Sequence, residues 1–254
     1  MRTGKHIKNI LFRSIGLFVF LILWELAPRL GWVREIFLSP PSVVITALIE
    51  MLLDGSLMPH IVASLLRIFR GLLLAASVGV IMGLLFGYFR RVNQTLDLLF
   101  QFFRQISAFA LFPVFILFFG LGEVSKTAII FWASLWPILL NTSAGVRDVE
   151  PVLIRSVKSM GASKMYTFLN VILPGATPQI FTGIRLGGSY CVMAVVAAEM
   201  IGATSGLGYL VLYSQQIFKV PQMYAAIVAL ALLGIALNGM LGLLERFFSS
   251  WRKL

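Results

Sequence analysis

Residues able to do chemistry are few in this chain, and they lie far apart. His6 and His60 are isolated, Cys191 is the single cysteine, and no Gly-x-x-x-x-Gly-Lys-Ser/Thr run is present to cradle a nucleotide phosphate. A metal centre needs several His, Cys or carboxylate ligands at set spacings. A covalent catalyst needs a nucleophile beside its base. Neither constellation is visible, so no catalytic residue and no metal site are expected, and each histidine reads as a boundary residue. Cys191 sits in an apolar run and reads as a packing residue. The group that demands an explanation is Glu199, an acid in the apolar run "VVAAEMIGATSGLGYLV". A charge in the membrane interior costs on the order of 3 kcal/mol unless it is partnered. Arg67 or Arg70, in "SLLRIFRG" at 64–71, could supply the partner. Such a pair would either tie helix ends together or form part of a gate, and both readings stay open here.

The second feature is "SVKSMGASKMYTFLNVILPGATP" at 156–178, where two lysines, two glycines and two prolines interrupt apolar sequence. Asp148 can cap a first short helix, with Glu150 and Pro151 in its first turn and Leu153, Val157 and Met160 on one face. Gly161 is placed to end it with a left-handed residue. Ser163 can cap a second helix carrying Met165, Phe168, Leu169 and Ile172, ending before Pro174. This helix, Gly, helix unit is either a membrane-surface segment within a long loop or a knob that docks into a groove on a partner.

The elements that must position these groups are membrane spans. The chain is 254 residues long, 59% hydrophobic and 12% charged, too apolar for a soluble domain of that length. A spanning helix needs about 20 mostly apolar residues, and six segments qualify: about 9–27, 66–89, 100–119, 124–145, 178–201 and 223–247. Residues 146–177 form the long loop between the fourth and fifth, and "SPPSVVITALIEMLLDGSL" reads as a helix lying on the outer surface. The basic, apolar start lacks a small-x-small cleavage site before Trp24, Glu25 and Pro28, so it reads as a retained first span.

With both termini cytoplasmic, six of the 21 Lys and Arg lie outside (Arg29, Arg34, Arg67, Arg70, Lys126 and Lys219). The other fifteen, Arg104 among them, lie inside. That asymmetry accounts for the net charge of +11 without a nucleic-acid partner. "FGLGE" at 119–123 and "SGLGY" at 205–209 both place paired glycines beyond a span at the outer face, where they imply tight turns or close backbone approach.

In register and order these fragments resemble the permease subunits of ABC importers, most closely the nitrate, sulfonate and taurine group. "RSVKSMGASKMYTFLNVILP" is similar to the EAA loop: Gly161, Val171, Leu173 and Pro174 match, and Arg155, Ser156 and Val157 occupy the three positions that name the motif. Arg155 replaces the usual acid. Ser64, Arg67 and Gly71 match the second-span region. "FRQISAFALFPVFILFFGLGEVSK" matches the third span and its turn, with Ser107 where many relatives carry the proline that kinks it. "WPILLNTSAGV", "PQIFTGIRLGG" and the Glu199 segment continue the match over most of the chain.

The resemblance implies an all-α integral membrane protein of the type I (MetI-like) architecture. It would be a single transmembrane permease domain over 1–254, with six spans, a periplasmic surface helix and a cytoplasmic coupling-helix loop. It implies alternating access driven by two ABC ATPase subunits, which bind the ATP and Mg; this chain holds no cofactor. It also implies a second permease, another copy of this chain or a close relative, a periplasmic or lipid-anchored substrate-binding protein, and an inner-membrane location in contact with lipid.

The coupling residues would be Arg155, Ser156, Val157, Met160, Gly161, Ala162, Ser163, Val171, Leu173 and Pro174. Arg67, Arg70, Glu199, Ser189, Phe109 and Phe112 are candidates for the pathway or gate. The family group carries small anions and organic acids (nitrate, bicarbonate, sulfonates, taurine), and also aromatic acids, thiamine-precursor pyrimidines and riboflavin. The Phe-rich "FALFPVFILFF" favours an organic substrate or a path that passes anions without holding them. "GVIMGLLFG" and "RLGGSY" allow close helix approach, for a sliding interface or for simple packing. A stand-alone secondary transporter or channel is the rival class. It would call for inverted repeats or a pore ring, and the sequence offers only scattered glycines and Glu199.

Overall fold

The computed structural model describes the backbone of residues 2–248 and the side chains of residues 15–248 other than 17, 90 and 93. Among them the regular elements are all helical: α1 (Arg2–Arg29), α2 (Pro41–Leu53), α3 (Leu57–Tyr88), α4 (Arg90–Gln105), α5 (Ala108–Phe119), α6 (Glu123–Arg147), α7 (Pro151–Ser159), α8 (Lys164–Thr167), a π turn (Phe168–Ile172), α9 (Leu173–Met200), α10 (Leu207–Gln216) and α11 (Val220–Phe248).

Four helical stretches among the described residues are long and apolar enough to cross a membrane: α3, α6, the continuous run Lys164–Met200, and α11. They carry the expected spans at 66–89, 124–145, 178–201 and 223–247. The expected span at 9–27 falls on α1, whose side chains before residue 15 lie outside the described residues. The expected straight span at 100–119 is instead a bent pair, Gln94–Gln105 and Ala108–Phe119, at 90°. Ile106 (φ −72, ψ 118) and Ser107 (φ −60, ψ 130) are extended, so the helical ladder stops there. Ser107 holds the φ that a proline ring would impose, so the break forms without the ring. The Trp132 indole N–H donates to the Ile106 carbonyl at 3.4 Å, serving an acceptor the break frees.

At the centre α6 packs between α3 and α9. Glycines make this close: a Cβ on Gly83 would meet the Thr142 Cβ at 2.6 Å, and one on Gly187 would meet Ile138 at 2.9 Å. The glycines of "GVIMGLLFG" and "RLGGSY" are therefore used for packing within the chain rather than left for a sliding interface. The core at this level gathers Ile68, Phe112, Ile129, Ile130, Cys191 and Val195. A second cluster joins α2, the start of α3, α10 and α11 through Val44, Met51, Leu57, Leu207, Leu210 and Ala226. Thus α2 is short and apolar, as its surface reading expects, but it buries one face on α11. Glu25 links α1 to α2 by accepting from the Ser42 N–H at 3.0 Å. The helix α10, between the fifth and sixth spans, has no counterpart in the sequence reading.

The long loop differs from expectation in two places. Asp148 closes the end of α6, and α7 starts after Glu150 with Pro151 in its first turn. The second short helix does not stop before Pro174. It passes through the π turn into α9, giving one run of 37 residues. A proline in a helix removes one donor and crowds the carbonyl a turn earlier. The widened turn, in which the Leu173 N–H reaches the Phe168 carbonyl, shifts the register just ahead of Pro174.

Candidate functional site

Two polar sites stand at opposite ends of the Lys164–Met200 helix. The first is built around Glu199, whose side chain is 0% exposed. Ser64 of α3 donates its hydroxyl to this carboxylate, 2.8 Å from Oε1 and 2.9 Å from Oε2, and accepts from the Leu207 N–H at 2.9 Å. Arg67, one helical turn further on α3, places Nη1 2.9 Å from Glu199 Oε1. The Gly208 N–H donates to Oε2 at 2.9 Å.

The same guanidinium reaches Glu123 at the start of α6, with Nε to Oε2 at 2.8 Å and Nη2 to Oε1 at 2.7 Å, and donates from Nη1 to the Ser205 carbonyl at 2.6 Å. Lys126 Nζ lies 3.1 Å from Glu123 Oε1. Two cations and two carboxylates thus neutralise one another, with Glu199, Arg67 and Lys126 buried and Glu123 exposed at the rim, and pairing is the condition under which buried charges are tolerated. Gly206 has φ +117, and a Cβ there would run into the Glu199 carboxylate, so only glycine lets the loop lie against the acid.

Of the two candidate partners Arg67 therefore makes the pair, while Arg70 faces outward on α3. The two glycine loops meet here, since "FGLGE" brings Glu123 and "SGLGY" brings Ser205, Gly206 and Gly208. His60 is no isolated boundary residue: its Nδ1 accepts from the Gly206 N–H at 3.1 Å, and its ring stacks on Tyr209. Sequence reasoning missed Ser64 and Glu123 as members of this site. The one available signal was that Ser64 stands three residues before Arg67 on a helix, which puts both on one face.

The second site is the hairpin of α7 and α8. None of the residues of α7 is buried. Gly161 has φ +83 with open space around it, and the Ser163 hydroxyl accepts from the Tyr166 N–H at 3.2 Å, so the turn and the cap stand where the spacing predicts them. The motif divides in two. Arg155, Ser156, Met160, Gly161 and Ser163 are exposed, with Val157 and Ala162 half-buried. Val171, Leu173 and Pro174 are half-buried, and the first two pack on the cluster of Val146, Val149, Ile172 and Ala176, anchoring the hairpin to the bundle. Val152, Leu153, Met160 and Met165 are each at least 50% exposed. Among the described residues Arg155 bonds only its own helix, from Nε to the Pro151 carbonyl at 3.3 Å, and Ser156 does the same through Val152.

The remaining candidates are scattered. Phe112 is 1% exposed and belongs to the core cluster of Ile68, Ile129 and Val195. Phe109 is 58% exposed beside the break between α4 and α5. Ser189 is exposed next to a polar cluster in which Arg185 donates to Asn238 and Glu245, and Thr182 donates to Glu245. Among the described residues no group of three His, Cys, Asp or Glu could hold a metal ion.

Residues 75–250 match the family described as the binding-protein-dependent transport system inner membrane component. The taurine transport system permease protein TauC of Escherichia coli is 34% identical over 244 residues, covering 94% of this chain and 89% of that protein. An aliphatic sulfonates transport permease protein, SsuC of Bacillus subtilis, is 32% identical over 92% of this chain and 85% of its own length. The bicarbonate transport system permease protein CmpB of Synechococcus elongatus is 30% identical over 96% and 91%.

Proposed function

The chain belongs to the binding-protein-dependent transport inner membrane component family, the non-catalytic permease subunits of ABC transporters. From this premise we propose that it forms, with a second permease copy, the translocation path of an ATP-driven importer for a small anion or organic acid of the sulfonate, taurine or bicarbonate kind. Two ATPase subunits, holding ATP and Mg, dock on the α7–α8 hairpins from the cytoplasm, where both termini also lie. A periplasmic or lipid-anchored binding protein delivers the substrate to the opposite face.

The observation that carries this reading is the hairpin itself. It is an apolar, lysine-bearing knob with no buried residue in α7, and its second helix, α8, continues without interruption into a run of 37 residues. At 1.5 Å per residue that helix is about 55 Å long. A push on Met165 therefore displaces the Glu199 end as a rigid rod, and the ion-pair network there acts as the outer gate. Closure of the ATPase dimer draws two hairpins together, and the rods rock the two permeases between inward-facing and outward-facing states.

The test is reconstitution of the permease with its ATPase and binding protein in proteoliposomes. Uptake of taurine, an alkanesulfonate or bicarbonate is expected to require ATP and to stop when the ATPase's phosphate-loop lysine is replaced. Uptake that persists without hydrolysis would sink the proposal.

A further inference from the structure

The break between α4 and α5 opens a cavity of about 580 Å³ against α6 and α9, with Arg104, Ser107, Phe109, Trp132, Trp136 and Tyr190 among its walls. Its depth follows from α6. Trp132 and Trp136 stand nine and 13 residues after Glu123, the first residue of that helix, which puts them about 14–20 Å from its start. A 25-residue helix has its midpoint there. Arg104, expected at the cytoplasmic side, is therefore at mid-depth.

A cation at this depth does not face lipid without cost; it faces protein or a water-filled path. Arg67 and Arg185 each have a carboxylate partner, whereas no acid among the described residues pairs with Arg104. Ser107, the N-cap residue of α5, makes no side-chain cap bond, so among the described residues its hydroxyl is uncommitted at the same break. Beside these polar groups runs an aromatic wall. Trp132 and Trp136 meet edge to face at 5.2 Å, Phe103 stacks on Trp136 at 6.4 Å, and Phe109 is exposed across the gap.

We propose that this cavity is the station where the transported solute rests inside the membrane, and that the solute is an organic anion with a carbon body. The oxyanion head, sulfonate or carboxylate, takes the forked N–H donors of Arg104 and the Ser107 hydroxyl. The carbon body lies on Trp132, Trp136 and Phe109, where apolar surface leaves water. This rests on the permease reading and narrows its substrate: a bare inorganic anion has nothing to place on the indoles. A broken helix at mid-membrane is also where irregular backbone is tolerated, because it lines a cavity.

The test uses the full-length permease in nanodiscs, titrated with methane-, butane- and hexanesulfonate and with sulfate while tryptophan fluorescence is followed. Affinity is expected to rise with each added methylene by up to about fourfold and to be lowest for sulfate. The signal is expected to vanish when Trp132→Phe and Trp136→Phe are combined. Arg104→Gln is expected to weaken every sulfonate at least tenfold, and Arg104→Lys to restore most of the loss. The chain-length series on the unmutated protein needs no variant, so a folding failure does not hide the result.

Sulfate binding as tightly as hexanesulfonate, hexanol giving the same quenching, or Arg104→Gln binding like wild type would each overturn the station. The permease reading is judged separately, by ATP-driven uptake in the reconstituted transporter. Uptake with no cavity binding overturns the station alone. Cavity binding with no uptake of any sulfonate or bicarbonate overturns the reading on which the station's transport role rests.

Discussion

The Lys164–Met200 helix ends in two opposite ways. At its Met200 end, Glu199 is sealed from solvent and accepts from a hydroxyl, a guanidinium and a backbone amide supplied by α3 and the 205–208 loop. At its Lys164 end, α7 has no fully buried residue, among the described residues Arg155 bonds only its own helix, and methionines stand in the open. The first site is completed by the chain's own folding. The second has the geometry of a finished turn but leaves its apolar side chains uncovered, as a flexible, adaptable docking surface does. Loss of a residue at the first end should thus register as loss of fold. Loss at the second should register as loss of partnership in a protein that still folds.

The largest effect is expected from Arg67→Met. Stripping a buried carboxylate of its cation costs about 3–5 kcal/mol, so the thermal unfolding midpoint of the detergent-solubilised protein should drop sharply. Adding Glu199→Gln should recover most of it by removing the stranded charge. A single mutant as stable as wild type would break the comparison at its closed end.

At the open end, Met160→Asp should leave unfolding unchanged and weaken ATPase binding by on the order of 2 kcal/mol, about 30-fold, if Met160 is an anchor; co-purification and a binding titration decide it. Gly161→Ala has room for its methyl but not the backbone for it. A cost of about 1–2 kcal/mol should appear as reduced coupling between ATPase turnover and transport, with assembly retained. The smallest change is Ser163→Ala, about 1 kcal/mol, visible as faster hydrogen exchange at the Tyr166 amide without loss of uptake.

Much of the hairpin was legible because its determinants are local. A left-handed glycine, a capping serine and apolar residues at helical spacing act within one or two turns, so the turn at Gly161 and the cap at Ser163 could be read directly. The helix beyond Ser163 was misjudged at Pro174, since nothing local announces that a π turn will absorb the proline. The Glu199 site was legible only as a need: an acid in apolar sequence requires a partner, and two arginines were eligible. Arg67 and Arg70 differ by three residues, and which of them faces inward depends on how α3 is rotated against α6, a matter settled by Gly71, Gly79 and Gly83 packing on Ile130, Ile138 and Thr142. Ser64, Glu123 and His60 joined through contacts spanning 56 to 146 residues of sequence, which no spacing rule reaches. The burial of Phe112 was not legible for the same reason, since a phenylalanine facing a path and one facing a core look alike in sequence.

By itself, then, the sequence determined that this is a helical membrane protein, where most of its spans run, and that a half-polar hairpin interrupts them. Composition, helix length and capping are properties of short segments, and they hold whatever the neighbours are. The tertiary structure alone decided which arginine answers Glu199, that two glycine loops bring Glu123 and Gly206 to that one arginine and its acid, and that the third span breaks to leave Arg104 beside a cavity. Those outcomes depend on which faces of distant helices meet, and burial and charge pairing are decided at that meeting.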